Sequence, residues 1–356
     1  MSIDSSAATT PQPSTAPSAE PLLEVRGVGK RFPVARDWLG RPTSFLSAVD
    51  DVDLDVRRGE TVALVGESGC GKSTLARLIL RLIAVTEGTV RFDGVDITAA
   101  KEAELRIFRR SAQLVFQDPY GSLDPRMKIE AVVAEGMDRA GMSKEERRAR
   151  VRELLDLVEL SSDAVDRFPH EFSGGQRQRI SIARALAVDP TFVIADEPVS
   201  ALDVSVQSRI LNLFADLQER LDLTYLFISH DMSVVRHVAD RIAVMYLGKI
   251  VETGPAQEIL ENPLHPYTQA LLSSVPTLSR RRFKKRIMLE GDVPSAVDPP
   301  PACRFASRCF RVIDRCRSEV PPLEGVSGSP RQLVACFNYQ PITADDERRG
   351  NSRHDS

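Results

Sequence analysis

The chain has 356 residues, a formal net charge of −3 and 42% hydrophobic residues. That length exceeds what a single core usually serves, so more than one structural unit is expected. The near-balanced charge argues against bulk nucleic-acid binding, and no apolar run reaches the ~18 residues of a membrane span.

Residues 1–20 are rich in Ser, Ala, Thr and Pro and carry neither a basic nor an apolar segment. They are expected to form a disordered tail rather than a signal peptide. Leu22 to Arg26 alternates as a strand, and Phe32 follows it. Residues 33–47 are expected to form a loop or hairpin insertion, after which Ala48 to Val56 alternates again. The apolar run Thr61 to Val65 leads into Gly66-Glu67-Ser68-Gly69-Cys70-Gly71-Lys72-Ser73-Thr74, and a helical pattern follows from Leu75 to Ile83. Strand, G-x-x-x-x-G-K-S loop and helix together make a phosphate cradle. The glycines allow a ring of inward-pointing N–H groups, and the helix adds its positive end. Lys72 can then reach the β- and γ-phosphates of a nucleotide, and the Ser73 hydroxyl can ligate Mg²⁺.

Gly88 to Phe92 is a further strand, turned by Asp93-Gly94. Residues 99–113 are helical and charged and run into the strand Gln113 to Phe116, with a turn cluster at Gln117 to Gly121. The stretch 126–160 is helix-patterned; 118–170 is expected to be a helical insertion, and the subdomain extends to about residue 190 with the next helix. That helix opens at Phe172-Ser173-Gly174-Gly175-Gln176, where Ser173 and Gln176 have the spacing of a capping box. The same residues can make a second anion site from backbone N–H groups and a hydroxyl. One nucleotide does not need two such sites from one chain, so a two-fold dimer is expected, each copy closing the site of the other.

Thr191 to Asp196 is an apolar run ending in an acid, as expected for a strand buried on both faces. Asp196 is placed to hold Mg²⁺, and Glu197 to orient or deprotonate an attacking water. Gln207 to Leu221 is an amphipathic helix, and Tyr225 to Ser229 is a buried strand ending at His230. Ile242 to Met245 and Lys249 to Glu252 form a hairpin around Leu247-Gly248, and a short helix starts at Gln257. Beyond Asn262 proline becomes frequent. A boundary is placed near residue 262, with a separate extension over 263–340 and a charged, disordered end over 341–356. The basic run Arg280 to Arg286 is expected to be a solvated linker, with contact to anionic lipid or an acidic protein loop as the sharper alternative. Cys303, Cys309, Cys316 and Cys336 follow C-x5-C-x6-C-x19-C spacing. In a cytosolic chain such thiols point to metal or cluster ligation before disulfides, and four thiolates suit either Zn²⁺ or a [4Fe–4S] cluster.

The set Gly66–Thr74, Gln117, Phe172–Gln176, Ile194–Glu197, Ser200–Asp203 and His230 resembles the ATP-binding subunit of ABC transporters over about residues 22–260. The resemblance implies an α/β fold: a P-loop nucleotide-binding domain over 21–262, with a mixed sheet core, an antiparallel β flank and an inserted helical subdomain, followed by the small Cys-rich extension. It implies adenine stacking by Phe32, phosphate binding by Gly66, Ser68, Gly69, Cys70, Gly71, Lys72, Ser73 and Thr74, and Mg²⁺ ligation by Ser73, Gln117 and Asp196. It further implies that Ser173, Gly174, Gly175, Gln176 and Asp203 act across a dimer interface. Glu197, His230, Gln117 and Lys72 then carry the chemistry, with His230 as the switch histidine.

The stretches Phe116–Arg126, Glu197–Ser205 and Asn262–Thr268 and the cysteine-bearing tail narrow the resemblance to dipeptide/oligopeptide importer ATPases. Similar proteins carry a [4Fe–4S] cluster in this tail. The implied partners are a second ATPase subunit (a copy or a paralogue), two transmembrane permeases and, indirectly, an extracytoplasmic binding protein, with no nucleic acid. The implied location is peripheral, on the cytoplasmic side of the inner membrane. A soluble ABC-type ATPase without a permease is the alternative; the absence of long coiled-coil insertions and of a second cassette weighs against it.

Overall fold

Alternation of apolar residues in Leu22–Val28 and Val49–Val56 buries one face of two long strands, β1 (Pro21–Arg36) and β2 (Pro42–Arg57), which pair antiparallel. The expected insertion at 33–47 is the tip of this hairpin, where the Asp37 carboxylate accepts from Leu39 N at 2.9 Å and Arg41 N at 2.8 Å. The computed structural model describes residues 20–140, 142–275, 286–326 and 329–341. The basic run at 280–286 therefore lies outside the described residues except for Arg286.

Chain order continues through β3 (Thr61–Val65), α1 (Lys72–Ile79), β4 (Glu87–Phe92), β5 (Val95–Asp96), α2 (Glu102–Ser111) and β6 (Ala112–Val115). The α1 helix stops earlier than its apolar pattern suggests, because Arg81 turns into the left-handed region at φ 52°. Next come α3 (Pro119–Ser122), α4 (Ile129–Val133), α5 (Lys144–Leu157) and α6 (Gly174–Leu186). The single helix pattern of 126–160 is split by a 3₁₀ stretch at Ala134–Ala140, and α5 restarts at a capping box between Ser143 and Glu146. Then follow β7 (Phe192–Asp196), α7 (Val204–Leu221), β8 (Thr224–Ser229), α8 (Met232–Val238), β9 (Arg241–Tyr246), β10 (Lys249–Pro255), α9 (Ala256–Glu261), α10 (Pro266–Ser273), β11 (Glu324–Val326) and β12 (Ser329–Val334).

Two sheets result. The smaller has the order β2-β1-β4-β5, and the larger β11-β12-β10-β9-β3-β8-β7-β6. Strand β3 is parallel to both neighbours, β8 and β9, and β8-β7-β6 continue in parallel. Every residue of β3 and β8 is buried, as continuous apolar strands between two covering layers require. One core lies between the sheets (Val25, Leu54, Leu64, Leu75, Ile228). A second lies beneath the helical subdomain (Ile129, Leu154, Ile180, Phe214, Phe227).

The third core joins what the sequence separates. Tyr246 of β9 packs on Tyr267 of α10 and Phe305 of the extension, with ring centroids 4.6 and 5.2 Å apart. Strand β12 pairs with β10 through Glu252↔Val334 and Thr253↔Leu333. The fully buried Glu252 carboxylate accepts from Leu264 N at 2.8 Å, His265 N at 3.1 Å and Gln332 Nε2 at 2.8 Å. The proline-rich composition after residue 262 marks loops, but the few aromatic residues among them dock the extension onto the same sheet.

Candidate functional site

The parallel strands deliver their carboxyl ends to one edge, and β3 turns there into the phosphate loop. Glycine is required by close approach: a Cβ on Gly66 would stand 2.2 Å from Met245 O, and one on Gly71, at φ 111°, 2.2 Å from Ala48 O. No side chain caps α1 at Gly71, so the helix keeps its first donors open. The Lys72 ammonium is buried and donates to Gly66 O at 2.8 Å and Glu67 O at 2.9 Å. A cleft of about 260 Å³ lies over the loop. Ser68, Gly69, Cys70, Gly71, Lys72, Ser73 and Thr74 line it together with Phe32, Gln117 and Glu197. Phe32 is half-buried at this cleft, with Lys30 Nζ 5.2 Å from its ring centroid.

The acids arrive from β7. Ser73 Oγ donates to Asp196 Oδ1 at 3.2 Å. Burial raises the Asp196 pKa, the Ser73 hydrogen bond lowers it, and the neighbouring Glu197 charge raises it again. Two hard oxygens on separate elements, with phosphate and water free to complete the shell, suit Mg²⁺. Glu197 adopts φ 47°, yet its N–H still reaches Ile228 O at 2.9 Å. A non-glycine residue in this region costs about 1 kcal/mol or more and often marks a functional turn. Here it aims the carboxylate between two partners. Gln117 Nε2 donates to Glu197 Oε2 at 2.9 Å, and His230 Nδ1 stands 3.1 Å from Glu197 Oε1. Three sequence-predicted residues from three strand ends thus meet in one chain of contacts.

Ser173, Gly174, Gly175, Gln176 and Asp203 do not line the cleft. Ser173 caps α6, accepting from Gln176 N at 3.4 Å while Gln176 Oε1 accepts from Ser173 N at 3.0 Å. Asp203 is exposed at the start of α7.

The four late thiols share one neighbourhood in the extension. Burial, then the nearby Cys336, Cys303 and Cys316, push the Cys309 thiol up to about 12. Burial first, and then Cys303 and Cys316, push Cys336 up to about 11. Arg311 N donates to Cys309 Sγ and Asn338 N to Cys336 Sγ, each at 3.4 Å. Such N–H groups support a thiolate, so the donor set fits a thiophilic metal or cluster. Among the described residues no group of three or more His, Cys, Asp or Glu side chains is gathered to hold an ion.

Sequence reasoning missed the contribution of the extension to the phosphate loop. Tyr267 Oη accepts from Glu67 N at 2.8 Å, and Arg308 forks onto the Glu67 carboxylate at 2.9 and 3.4 Å. Ala296 lines the cleft beside Leu46 and Gly248. The Asn262–Thr268 stretch contained Tyr267, but no spacing connects it or Arg308 to a loop about two hundred residues away.

Residues 49–200 match the family described as ABC transporter, and residues 251–316 match the family described as oligopeptide/dipeptide transporter, C-terminal region. The chain is 48% identical over 329 residues to the oligopeptide transport ATP-binding protein AppF of Bacillus subtilis, covering 91% of this chain and 99% of the relative. It is 47% identical to the dipeptide transport ATP-binding protein DppF of Escherichia coli, covering 89% and 94%. Among solved structures it is similar to a dimeric bacterial ABC transporter cassette, at TM-score 0.59 and 32% identity over 66% of this chain and 98% of that one. A post-hydrolysis dimer of an ATP-binding cassette bound to ADP and Pi matches with the same values.

Proposed function

Because the chain belongs to the ABC transporter family, as an ATP-binding protein of its oligopeptide/dipeptide branch, we propose that it is the ATPase subunit that powers import of peptides or a related solute, working as one half of a two-fold ATP-closed dimer. The observation that carries the hydrolytic reading is the convergence of Gln117, Glu197 and His230 at the mouth of the phosphate cleft.

The loop N–H groups and Lys72 bind the phosphates, and Phe32 is the adenine platform. The Lys72 ammonium donates to the Gly66 and Glu67 carbonyls, which hold it over the loop, and as a three-donor group it can also serve phosphate. Ser73 and Asp196, with Gln117 as a further oxygen ligand, are the residues that would hold Mg²⁺, which neutralises phosphate charge when bound. Glu197 orients and deprotonates the attacking water, while Gln117 and His230 fix its carboxylate; His230 also contacts the γ-phosphate in the closed state. Ser173, Gly174, Gly175, Gln176 and Asp203 act on the nucleotide of the partner subunit. That none of them lines the cleft of its own chain supports this division of labour.

Gln117 also borders a groove of about 1280 Å³ against the helical subdomain. Exposed Leu82, Ile107 and Phe116 line the groove. A groove that sets these exposed apolar side chains among Arg106, Arg110 and Glu135, beside a residue that touches the catalytic acid, suits a permease loop, linking transport to hydrolysis. Two permeases and, through them, an extracytoplasmic binding protein complete the assembly. Its own place in that assembly is peripheral, on the cytoplasmic face of the membrane; among the described residues no helix is long and apolar enough to cross a membrane. Cys303, Cys309, Cys316 and Cys336 would hold a [4Fe–4S] cluster, or alternatively Zn²⁺. Such a centre supplies a staple for a loop-rich segment rather than redox chemistry.

The test is Glu197→Gln. Turnover falls by roughly 10²–10⁴ while ATP binding persists and the dimer stays closed. Near-parent hydrolysis in a single-turnover assay would remove Glu197 as the base.

A further inference from the structure

Glu67 lies in the phosphate loop immediately before Ser68, which lines the cleft. All three of its polar groups are held. Its carbonyl accepts from Lys72, its N–H donates to the buried Tyr267 hydroxyl, and its carboxylate takes the Arg308 fork. Arg308 also reaches Tyr246 Oη at 3.5 Å, and its side chain is only 9% exposed. Two of the three holds therefore come from the C-terminal extension. Arg308 itself sits in the 3₁₀ turn Ala306–Arg308, between Cys303 and Cys309.

A carboxylate beside the phosphate cradle opposes binding of a polyanion unless it is neutralised. A buried bidentate guanidinium neutralises it and fixes it in place. The turn that carries Arg308 is shaped by local contacts around the thiols: Cys303 N donates to Cys316 O at 3.0 Å and Arg308 N to Phe305 O at 3.0 Å. Anything that rearranges the thiols moves the base of the fork.

We infer that Arg308 and Tyr267 are positioning residues of the ATP site. The thiol-bearing extension braces the phosphate loop through Glu67, and nucleotide affinity depends on the folded state of the four-cysteine segment. The link to thiol state rests on the metal- or cluster-holding role proposed for those cysteines; the brace itself does not.

The experiment titrates Mg²⁺-ADP, which fills the phosphate loop without turnover, into the full chain by calorimetry. Arg308→Gln weakens binding about tenfold, since it leaves a charged Glu67 unpaired. Glu67→Gln, which loses the charged fork but keeps a hydrogen-bonding side chain beside Arg308 and adds no repulsion of phosphate, weakens binding less, by about threefold or under. The double variant returns to within about threefold of Glu67→Gln, because the penalty passes through one pair. Arg308→Lys, which keeps the charge and loses the fork, is intermediate and serves as the measurement if Arg308→Gln does not fold. Cys309→Ser weakens ADP binding in the parent background and adds nothing in Arg308→Gln. In the assembled transporter the KM for ATP rises in Arg308→Lys while kcat holds, a split that general loss of stability does not produce. Parent-like affinity in both Arg308 variants overturns the brace, as does a double variant no better than Arg308→Gln. Parent-like affinity in Cys309→Ser overturns the link to the thiols. A parent chain that binds no ADP overturns the proposed function instead.

Discussion

The starts of α1 and α6 use similar residues to opposite ends. Both combine glycines with a hydroxyl side chain where a helix begins. At α1 the cap position is Gly71, no side chain satisfies the first N–H groups, and the nearest ammonium rests on backbone carbonyls of its own loop. At α6, Ser173 and Gln176 close a reciprocal capping box and use up two donors internally. A helix start whose donors stay open is a complete ligand site. One that satisfies itself would exchange its cap for a phosphate only when the phosphate is brought to it, which is the part proposed for it at the partner's nucleotide.

Replacing glycine at the open start has the largest expected effect. Gly71→Ala forces a Cβ against Ala48 O at 2.2 Å, at a φ of 111° that an L side chain rarely adopts. The loop must deform, and Mg²⁺-ADP affinity is expected to fall by about a hundredfold or more in calorimetry. Parent-like affinity would mean that the cradle does not depend on this loop shape. The capped start should answer differently. Ser173→Ala removes a helix cap, worth about 1 kcal/mol of stability in denaturant titration. Its ADP affinity as a single chain should match the parent. In a Glu197→Gln background, ATP-driven dimerisation measured by light scattering should weaken about tenfold, because each site gives up one charge-assisted hydrogen bond to phosphate. An unchanged dimer constant would erase the distinction between the two helix starts.

The same contrast explains what the sequence discloses. The open start is legible because its chemistry is local: Gly66 to Thr74 follow one another along the chain, and Asp196 and Glu197 end an apolar strand whose burial can be read directly. The role proposed for Ser173 in a dimer is legible only by elimination, since its local chemistry is already satisfied by Gln176. The early end of α1 at Ile79 and the break in 126–160 escape periodicity, because a left-handed Arg81 and a 3₁₀ turn keep the apolar spacing while ending the helix. The extension is the least legible region. Its proline-rich composition suggests a separate body, whereas Tyr267 and Phe305 bury themselves against Tyr246 and β12 continues the sheet. Pairs spanning two hundred residues, such as Arg308 and Glu67, leave no periodicity to find.

The smallest expected effect lies at Asp196, between the two starts. Burial holds its pKa above the ordinary aspartate value, with Glu197 adding in the same direction and Ser73 and Lys72 opposing. A raised folded pKa favours the neutral acid, so this group's contribution to stability is present below the unfolded value and is lost as pH rises through the folded value. Mg²⁺ reverses the preference by requiring the carboxylate. The extra thermal stability that Mg²⁺ adds to the ADP complex should therefore be full at neutral pH and vanish on acidification at a pH above the usual aspartate range, a shift of a few degrees in midpoint. Asp196→Asn should abolish the Mg²⁺ increment and make the metal-free chain slightly more stable at neutral pH than the parent. A Mg²⁺ increment that persists in Asp196→Asn would move the metal to other oxygens and leave Ser73 without its assigned partner.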